Sequence, residues 1–273
     1  MQTSNTTANA TTEEESPQAA FLELLESVRA HAEFQRDSGL RWSAPLPRRE
    51  KPPLPVQEKP APAVVEVKSG PRDLVAEGAP ANLGTLDDLR AHIGDCRRCK
   101  LAPGRTNLVF GVGNPKAELM FVGEGPGRDE DLQGLPFVGR SGQLLDRMLN
   151  SIGLDRQSSA YITNVIFWRP PGNRPPTAEE AATCAPFLLR HIELKQPKVL
   201  VLLGGAPVKH VLNLEEGITR LRGRWGRAVL GGVEIPALPT FHPAYLLRTP
   251  GAKRQAWQDM LSLKLRLREM GAP

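Results

Sequence analysis

The 273-residue sequence contains few of the features that mark a secreted or membrane protein. It has only three cysteines, which is too few for a disulfide framework and favours a reducing, cytoplasmic location. No apolar run approaches the roughly 18 residues that a spanning helix needs, so no contact with a membrane is expected. The N-terminus is polar and acidic, and it lacks the pattern of a signal peptide.

The sequence also lacks the glycine fingerprint of dinucleotide-binding proteins. The three glycines within Gly123–Gly127 have the wrong spacing, and no acidic residue ends a second strand about 20 residues further on. These glycines follow an apolar run and allow backbone amides to approach a ligand closely. Two carboxylates and an aromatic ring come next, at Glu130, Asp131 and Phe137. A structural turn needs no such assortment, so this loop is predicted to carry function.

Charge is distributed unevenly along the chain. The first 80 residues hold 9 basic and 12 acidic side chains, whereas the remainder holds 26 basic and 18 acidic ones. A basic folded region behind an acidic leader suggests a polyanionic partner.

Residues 1–83 are predicted to be a disordered leader. It contains one amphipathic helix, at about residues 17–34, and a proline-rich linker. The helix is equally compatible with docking on a partner or on the folded domain and with a solubilising tail.

From Gly84 onward, short apolar strands alternate with helices. Strands are predicted at Leu119–Val122, Ala160–Phe167 and Val199–Leu203, with one or two more within Val229–Leu238. This alternation predicts an α/β fold of three α/β/α layers around a mostly parallel central sheet. Ligands of such sheets bind outside the carboxyl ends of the strands, so the loops at those ends are the candidate site.

Two of these loops carry residues that are suited to binding a planar base. Asn164 lies in an otherwise apolar strand, where an unpaired amide costs roughly 1–3 kcal/mol. It could pin a neighbouring loop, or it could offer a donor and an acceptor to a pyrimidine edge. His242 is the only one of five histidines in a loop of this kind, because the other four lie on predicted helices.

Taken together, these motifs resemble family 4 of the uracil-DNA glycosylases. The resemblance covers about residues 84–270, which it predicts to be a catalytic domain. The matching motifs are Gly123-Glu-Gly-Pro-Gly127, Glu130-Asp131, Gly134-x-Pro-Phe-Val-Gly139, Asn164, Arg169-Pro-Pro-x-Asn-Arg174 and Phe241-His-Pro-Ala244. The resemblance implies an enzyme that flips uracil out of single- or double-stranded DNA and hydrolyses its N-glycosidic bond, leaving an abasic site. We expect it to act as a monomer.

The resemblance also implies roles for individual residues. His242 would donate a hydrogen bond to uracil O2, Phe137 would stack on the flipped ring, and Asn164 would pair with N3–H and O4. Backbone groups would contact the uracil edge at Glu124, Gly125 and Pro126. Glu124 is the first candidate for the residue that orients the attacking water, and Glu130 is the second.

Several polar and basic residues are predicted to contact DNA. Phosphate contacts are expected at Arg169, Arg174 and an arginine run, and Asn173 and Arg248 are also predicted to contact DNA. The arginine run consists of Arg220, Arg222, Arg224 and Arg227. The alternative for the arginine run is a solvated loop. Tyr245 and Leu246 follow His242, where related enzymes place a wedge that fills the vacated base stack.

The expected cofactor conflicts with one residue. The resemblance implies a [4Fe–4S] cluster on four cysteines, and Cys96, Cys99 and Cys184 match three of them. Trp168 stands at the remaining position, and an indole is not an iron ligand. A three-thiolate cluster, a zinc ion with another ligand, and packing by Trp168 without a metal are the alternatives. The hydrolysis itself needs no cofactor.

Two other functions compete with the glycosylase. One is a non-catalytic module of the same fold that binds DNA lesions, which the presence of His242, Asn164 and Phe137 disfavours. The other is an enzyme that acts on a free nucleoside, which the basic charge of the folded region disfavours.

Overall fold

The computed structural model describes residues 17–37 and 83–271. The chain divides into two units after Trp42, and the described part of the first unit is a single helix, α1 (Pro17–Asp37), where the sequence predicts one over about 17–34. The predicted disorder and the proline-rich linker lie outside the described residues. Within the part that the structure describes, no helix is long and apolar enough to cross a membrane.

The second unit is built on one six-stranded sheet. Its strands are β1 (Val112–Gly113), β2 (Leu119–Gly123), β3 (Ala160–Asn164), β4 (Val199–Leu203), β5 (Gly226–Leu230) and β6 (Val233–Thr240). Their spatial order is β1-β3-β2-β4-β6-β5. The four inner strands are parallel, and the two edge strands are antiparallel to their neighbours. The predicted α/β class with a mostly parallel sheet is therefore confirmed.

Helices connect the strands and cover the sheet. They are α2 (Leu86–Gly94), α3 (Arg128–Gln133), α4 (Arg140–Asn150), α5 (Ala178–Lys195), α6 (Gly205–Leu212), α7 (Ile218–Leu221), α8 (Pro243–Arg248) and α9 (Lys253–Glu269). Capping boxes begin two of them, where the side chains of Thr85 and Thr177 accept from backbone amides at the third helical position.

The core lies between the sheet and two groups of helices. One group contains α2, α5 and α6, and the other contains α4, α8 and α9. Every residue of β2, β3 and β4 is buried, because helices cover both faces of these strands. The segments that follow the carboxyl ends of β2, β3 and β6 meet at one cavity.

β3 is shorter than the sequence predicts. It ends at Asn164, whereas the apolar pattern continues to Phe167. The backbone amides of Val165 and Ile166 donate to the carbonyl oxygens of Gly123, the last residue of β2, and of Glu124 in the loop after it, so the regular pairing with β2 ends here. Asn164 therefore lies at the carboxyl end of its strand and not in its interior.

Candidate active site

A cavity of about 160 Å³ lies at the carboxyl ends of β2, β3 and β6. Its lining includes Glu124, Phe137, Asn164 and His242, which come from four separate loops or strand ends. A cavity of about 150 Å³ holds one benzene ring, so this one admits a single planar base. A larger cavity of about 680 Å³ lies at the opposite ends of β4 and β6, and none of the predicted site residues lines it.

Asn164 offers an unused hydrogen-bonding atom to the cavity. The residue is 1% exposed, and its Oδ1 atom has no hydrogen-bond partner among the described residues. An unsatisfied buried carbonyl costs about 1–3 kcal/mol, which is a cost that a ligand with a donor removes. A Cβ atom at Gly123 would lie 2.5 Å from this oxygen, so the glycine leaves the space that the amide occupies.

His242 is held as a neutral donor. It precedes α8, and its Nδ1 atom accepts a hydrogen bond of 3.1 Å from the backbone amide of Ala244. The proton of the neutral ring must then lie on Nε2. Burial lowers the pKa of His242 to about 4, and the positive charge of Arg248 adds to this effect. The neutral form therefore dominates at pH 7 and can donate one hydrogen bond from Nε2.

Phe137 packs beside His242 in a strained backbone conformation. The two ring centroids lie 5.5 Å apart, and Phe137 is 4% exposed. Its φ angle of 55° is in the left-handed region, which costs a non-glycine residue about 1–3 kcal/mol. Gly142 fits closely behind it, since a Cβ atom there would lie 1.8 Å from the carbonyl oxygen of Phe137.

The buried carboxylate of Glu130 holds two loops together. Its Oε2 atom accepts from the amide of Gly127 at 3.1 Å, and its Oε1 atom accepts from the amides of Val138 and Gly139 at 3.0 Å each. Asp131 similarly accepts from the amide and hydroxyl of Thr106. With both oxygens engaged, Glu130 is better suited to shaping the site than to orienting a water molecule.

Glu124 also lines the cavity, and its carboxylate forms no salt bridge with another described residue. Partial burial raises its pKa above 4.5, and the positive charge of Arg248 partly opposes this shift. The next two residues, Gly125 and Pro126, also line the cavity. A Cβ atom at Gly125 would lie 2.6 Å from Ile166, so only a glycine allows this approach of the two loops.

Most of the predicted DNA-contacting residues lie near the surface. Arg174 and Asn173 line the rim of the cavity and are exposed, as are Arg220, Arg224 and Arg248. Arg169 donates to the side chain of Asn173 at 2.7 Å. Arg174 forms two hydrogen bonds with Glu180, at 2.8 and 2.7 Å, and this pairing lowers the pKa of Glu180 to about 2.

Two predicted DNA contacts are placed differently. Arg222 is only 16% exposed at its side chain and forms an ion pair with Asp259, which is 1% exposed. Leu246 is fully buried, whereas Tyr245 is partly exposed and packs on Phe241 with ring centroids 4.9 Å apart. Arg222 and Leu246 therefore pack within the fold, unlike the exposed members of the predicted set.

Sequence reasoning missed Arg156, which supports the site from behind. This largely buried side chain donates to the carbonyl oxygen of Phe137 at 2.7 Å and to Asp146 at 2.6 Å. It lies 19 residues from Phe137, in a turn between α4 and β3 with no motif of its own. Nothing in the sequence marks this residue, apart from the general expectation that a strained loop needs a supporting partner.

Of the three cysteines, Cys184 belongs to the same apolar core as Trp168, and Cys96 and Cys99 pack against that core. The Cys184 thiol donates to Cys99, and this hydrogen bond, more than any other effect, lowers the pKa of Cys99 to about 6 and raises that of Cys184. Trp168 is 3% exposed and belongs to the same apolar core as Cys184. Within residues 17–37 and 83–271, no group of three or more His, Cys, Asp or Glu residues is arranged to hold a metal ion. An indole at the fourth position does not fit a cluster held by four thiolates.

Comparison with known proteins agrees with this geometry. Residues 110–261 match the model of the uracil DNA glycosylase superfamily. A type-4 uracil-DNA glycosylase of Archaeoglobus fulgidus is 44% identical over 179 residues, covering 64% of this chain and 89% of the relative. One from Thermotoga maritima is 46% identical over 157 residues, covering 56% and 78%. One from Sulfurisphaera tokodaii is 39% identical over 187 residues, covering 67% and 84%. The chain belongs to the uracil DNA glycosylase superfamily.

Proposed function

We propose that this chain is a uracil-DNA glycosylase, which flips uracil out of DNA and hydrolyses its N-glycosidic bond to leave an abasic site. One observation carries the proposal: the unpaired, buried Oδ1 atom of Asn164 faces a ring-sized cavity beside the neutral ring of His242. A base that brings an N–H donor and carbonyl acceptors satisfies both side chains. A base must leave the duplex stack to enter such a cavity.

Asn164 distinguishes uracil from cytosine. Its Oδ1 atom accepts from uracil N3–H, and its side-chain N–H donates to uracil O4. Cytosine presents an acceptor at N3 and an amino group at position 4, so both contacts become mismatched. A site that is built to hydrogen-bond one base rejects the other because its buried polar groups are left unpaired.

His242 stabilises the leaving group. Negative charge develops on uracil O2 as the glycosidic bond breaks, and the Nε2–H donor of His242 is directed at that oxygen. A fixed donor in a buried site stabilises developing charge more than it does in water. Burial keeps the His242 ring neutral, which suits this role. The neutral ring still carries the Nε2 proton that it donates in the hydrogen bond.

The remaining site residues position the base and the water. Phe137 stacks on the flipped ring, and the backbone of Glu124, Gly125 and Pro126 contacts its edge. Glu124 orients the attacking water, since its carboxylate lines the cavity while both oxygens of Glu130 are engaged with backbone amides. The oxocarbenium-like sugar also gains from the negative charge of Glu124.

DNA contacts surround this site in the proposed complex. The exposed or half-buried members of the predicted set contact phosphates or the vacated stack: Arg169, Asn173, Arg174, Arg220, Arg224, Tyr245 and Arg248. Residues 84–270 form the catalytic domain, and the enzyme acts as a monomer in the cytoplasm on single- and double-stranded DNA. The chemistry proceeds without a cofactor.

The test is uracil release from oligonucleotides that carry one uracil, in single and double strands. We expect the wild-type chain to produce alkali-labile abasic sites. His242→Ala and Asn164→Ala each remove one donor from the site, so kcat should fall by about 10²–10³-fold. The matched controls are His92→Ala and Asn150→Ala, which alter exposed residues on α2 and α4 and should leave kcat unchanged.

The other two functions give different results in the same assay. A lesion-binding module retains uracil-DNA binding but releases no base from any substrate. An enzyme on free nucleosides hydrolyses deoxyuridine as fast as the oligonucleotide, and its rate is independent of salt. Either result would overturn the proposal.

A further inference from the structure

We propose that this chain replaces the iron–sulfur cluster of its family with a metal-free packing unit, in which the Trp168 ring and the Arg105 guanidinium take over the structural role of the metal. The inference rests on the position of Trp168 among the cysteines and does not depend on the proposed activity. It concerns a part of the domain that contributes no residue to the cavity.

Trp168 occupies the position from which the fourth thiolate would reach the cluster. Its ring is 97% buried and packs in one continuous core with Cys184 and Leu101, and Cys96 and Cys99 lie against this core. The Cys184 sulfur also contacts the backbone of Phe167, the residue before Trp168. The indole and the Cys184 side chain therefore share one core that the other two cysteines adjoin, and the indole fills space there that a cysteine would leave open.

Arg105 connects Trp168 to the cysteine loop. Its guanidinium carbon lies 4.1 Å from the centroid of the Trp168 ring, which is close cation–π geometry. The same guanidinium donates to the carbonyl oxygen of Gly94 at 2.9 Å and to that of Cys96. Gly94 is the last residue of α2, so Arg105 also satisfies carbonyl groups at a helix end. One side chain thus ties α2, the cysteine loop and the segment after β3 together.

This arrangement performs the task that a cluster would perform. A metal held by Cys96, Cys99 and Cys184 would link the segment after α2 to α5. Here Cys99 lies against the core that contains Cys184 and Trp168, and Arg105 joins the cysteine loop to the segment after β3 through its stack on Trp168 and its bond to the Cys96 carbonyl oxygen. The cysteine side chains pack in this core or against it and do not serve as metal ligands.

The first experiment measures metal in the full-length protein. The chain is expressed in iron-supplemented cells and purified without oxygen, and its iron, acid-labile sulfide, zinc and visible absorption are recorded. We expect far less than one metal atom per chain and no broad visible absorption. Stoichiometric iron with sulfide, or one zinc per chain, would overturn the inference.

A set of variants at Trp168 tests the position itself. Trp168→Cys restores four cysteines, so anaerobic reconstitution should load an iron–sulfur cluster with visible absorption. Trp168→Ala makes a similar space without a thiol and should take up no cluster, and Trp168→Phe should keep the fold and stay colourless. A folded Trp168→Cys chain that takes up no iron would show that Trp168 does not stand where the fourth ligand would be.

Variants of the cysteines and of Arg105 separate packing from metal binding by their melting temperatures. Cys96→Ser alters a half-buried thiol and should change Tm by no more than a few degrees, because no metal is lost. Arg105→Ala should lower Tm by about 3–6 °C, because it removes the stack and the bonds to Gly94 and Cys96. Cys96→Ser lowering Tm much more than Arg105→Ala would indicate a lost metal and would contradict the proposal.

Discussion

Arg156 donates a hydrogen bond of 2.7 Å from Nη2 to the backbone carbonyl oxygen of Phe137, and so supports from behind the ring that lines the cavity. Its Nε atom bonds to Asp146 at 2.6 Å, which fixes the guanidinium in place. Phe137 has a φ angle of 55°, a conformation that persists only where the surroundings enforce it. Arg156 is therefore a positioning residue for the stacking ring.

Replacing Arg156 should impair activity more than it impairs folding. Arg156→Ala frees the Phe137 loop, and because small misplacements in an active site are costly, kcat/KM should fall by up to about 10²-fold. Arg156→Lys keeps the charge and one donor and should recover part of this loss. The control, Arg266→Ala, removes an exposed arginine that pairs with Glu269 at the end of α9. Equal kcat/KM for Arg156→Ala and the wild type, assayed well below Tm, would refute the role of Arg156.

Gly142 should tolerate no side chain. A Cβ atom there would lie 1.8 Å from the Phe137 carbonyl oxygen, which is a backbone atom and cannot turn aside. Gly142→Ala should therefore displace the loop and lower both Tm and kcat/KM. Gly251→Ala is the matched control, since a Cβ atom there meets nothing within 4 Å. Thermal melts and uracil release measured on both variants would test the contact directly.

The two titrating groups of the cavity predict the shape of the pH profile. Burial raises the pKa of Glu124 above 4.5, and its charged form is the one that orients water. Activity should therefore fall on acidification as Glu124 becomes protonated. Burial lowers the pKa of His242 to about 4, so the ring stays neutral over most of this range. In Glu124→Gln the rate should be low and nearly constant above about pH 5. A persisting limb near pH 6.5 would instead indicate that His242 titrates normally.

His191 should make the protein less stable in acid. It is fully buried, its Nε2 atom lies 3.0 Å from the hydroxyl of Tyr161, and burial lowers its pKa from 6.5 to about 3. Between about pH 6.5 and 3, His191 is therefore protonated in the unfolded chain and neutral in the folded chain. The free energy of unfolding falls in this window by up to about 1.4 kcal/mol per pH unit.

His191→Gln should reduce that slope by removing one titrating group. Other groups also titrate here: burial raises the pKa of Asp259 to about 6, which opposes the trend. The useful quantity is therefore the difference between the variant and the wild type in urea unfolding from about pH 7 to about pH 5. A difference that does not change with pH would show that His191 does not titrate as its burial implies.

The sequence predicted the regular parts of the fold well, because they depend on local patterns. The apolar run of β4 lies where it was expected, at Val199–Leu203. β3 was predicted too long, since the buried residues after Asn164 are as apolar as a strand but bond to the last residue of β2 and the loop after it. α3 and α8 are six residues each and lie in glycine- and proline-rich loops, where helical periodicity is too short to detect.

Part of the candidate site could also be predicted, because some of its residues are recognisable from the local sequence. Residues such as Asn164 and His242 stand out by type at the ends of predicted strands, and the structure brings them to one cavity. The distinction between Arg222 and its neighbours did not follow from the sequence. It depends on Asp259, which lies 37 residues away on α9. Burial of one arginine in a run of four is set by tertiary packing, which the local pattern does not encode.

Because Arg222 is largely buried and Arg220 and Arg224 are exposed, variants of these arginines can test which of them contact DNA. The slope of log K against log salt for duplex binding should become shallower by about 0.9 for each phosphate contact that a variant loses. Arg220→Ala and Arg224→Ala should therefore weaken binding at low salt with little change in Tm. Unchanged slopes in both variants would favour the solvated-loop interpretation of this segment.

Arg222→Ala should behave in the opposite way. It leaves the buried carboxylate of Asp259 with the Thr240 hydroxyl, at 2.6 Å, as its one side-chain partner in the part of the chain that the structure describes. Breaking a buried pair costs about 3–5 kcal/mol. The unpaired carboxylate binds a proton more readily in the folded chain than in the unfolded one. The loss of unfolding free energy in Arg222→Ala should therefore become smaller as the pH falls towards 5. The double variant Arg222→Ala/Asp259→Asn, which removes the buried charge, should regain stability at pH 7. A loss of DNA affinity in Arg222→Ala with an unchanged Tm would instead place this arginine on the DNA.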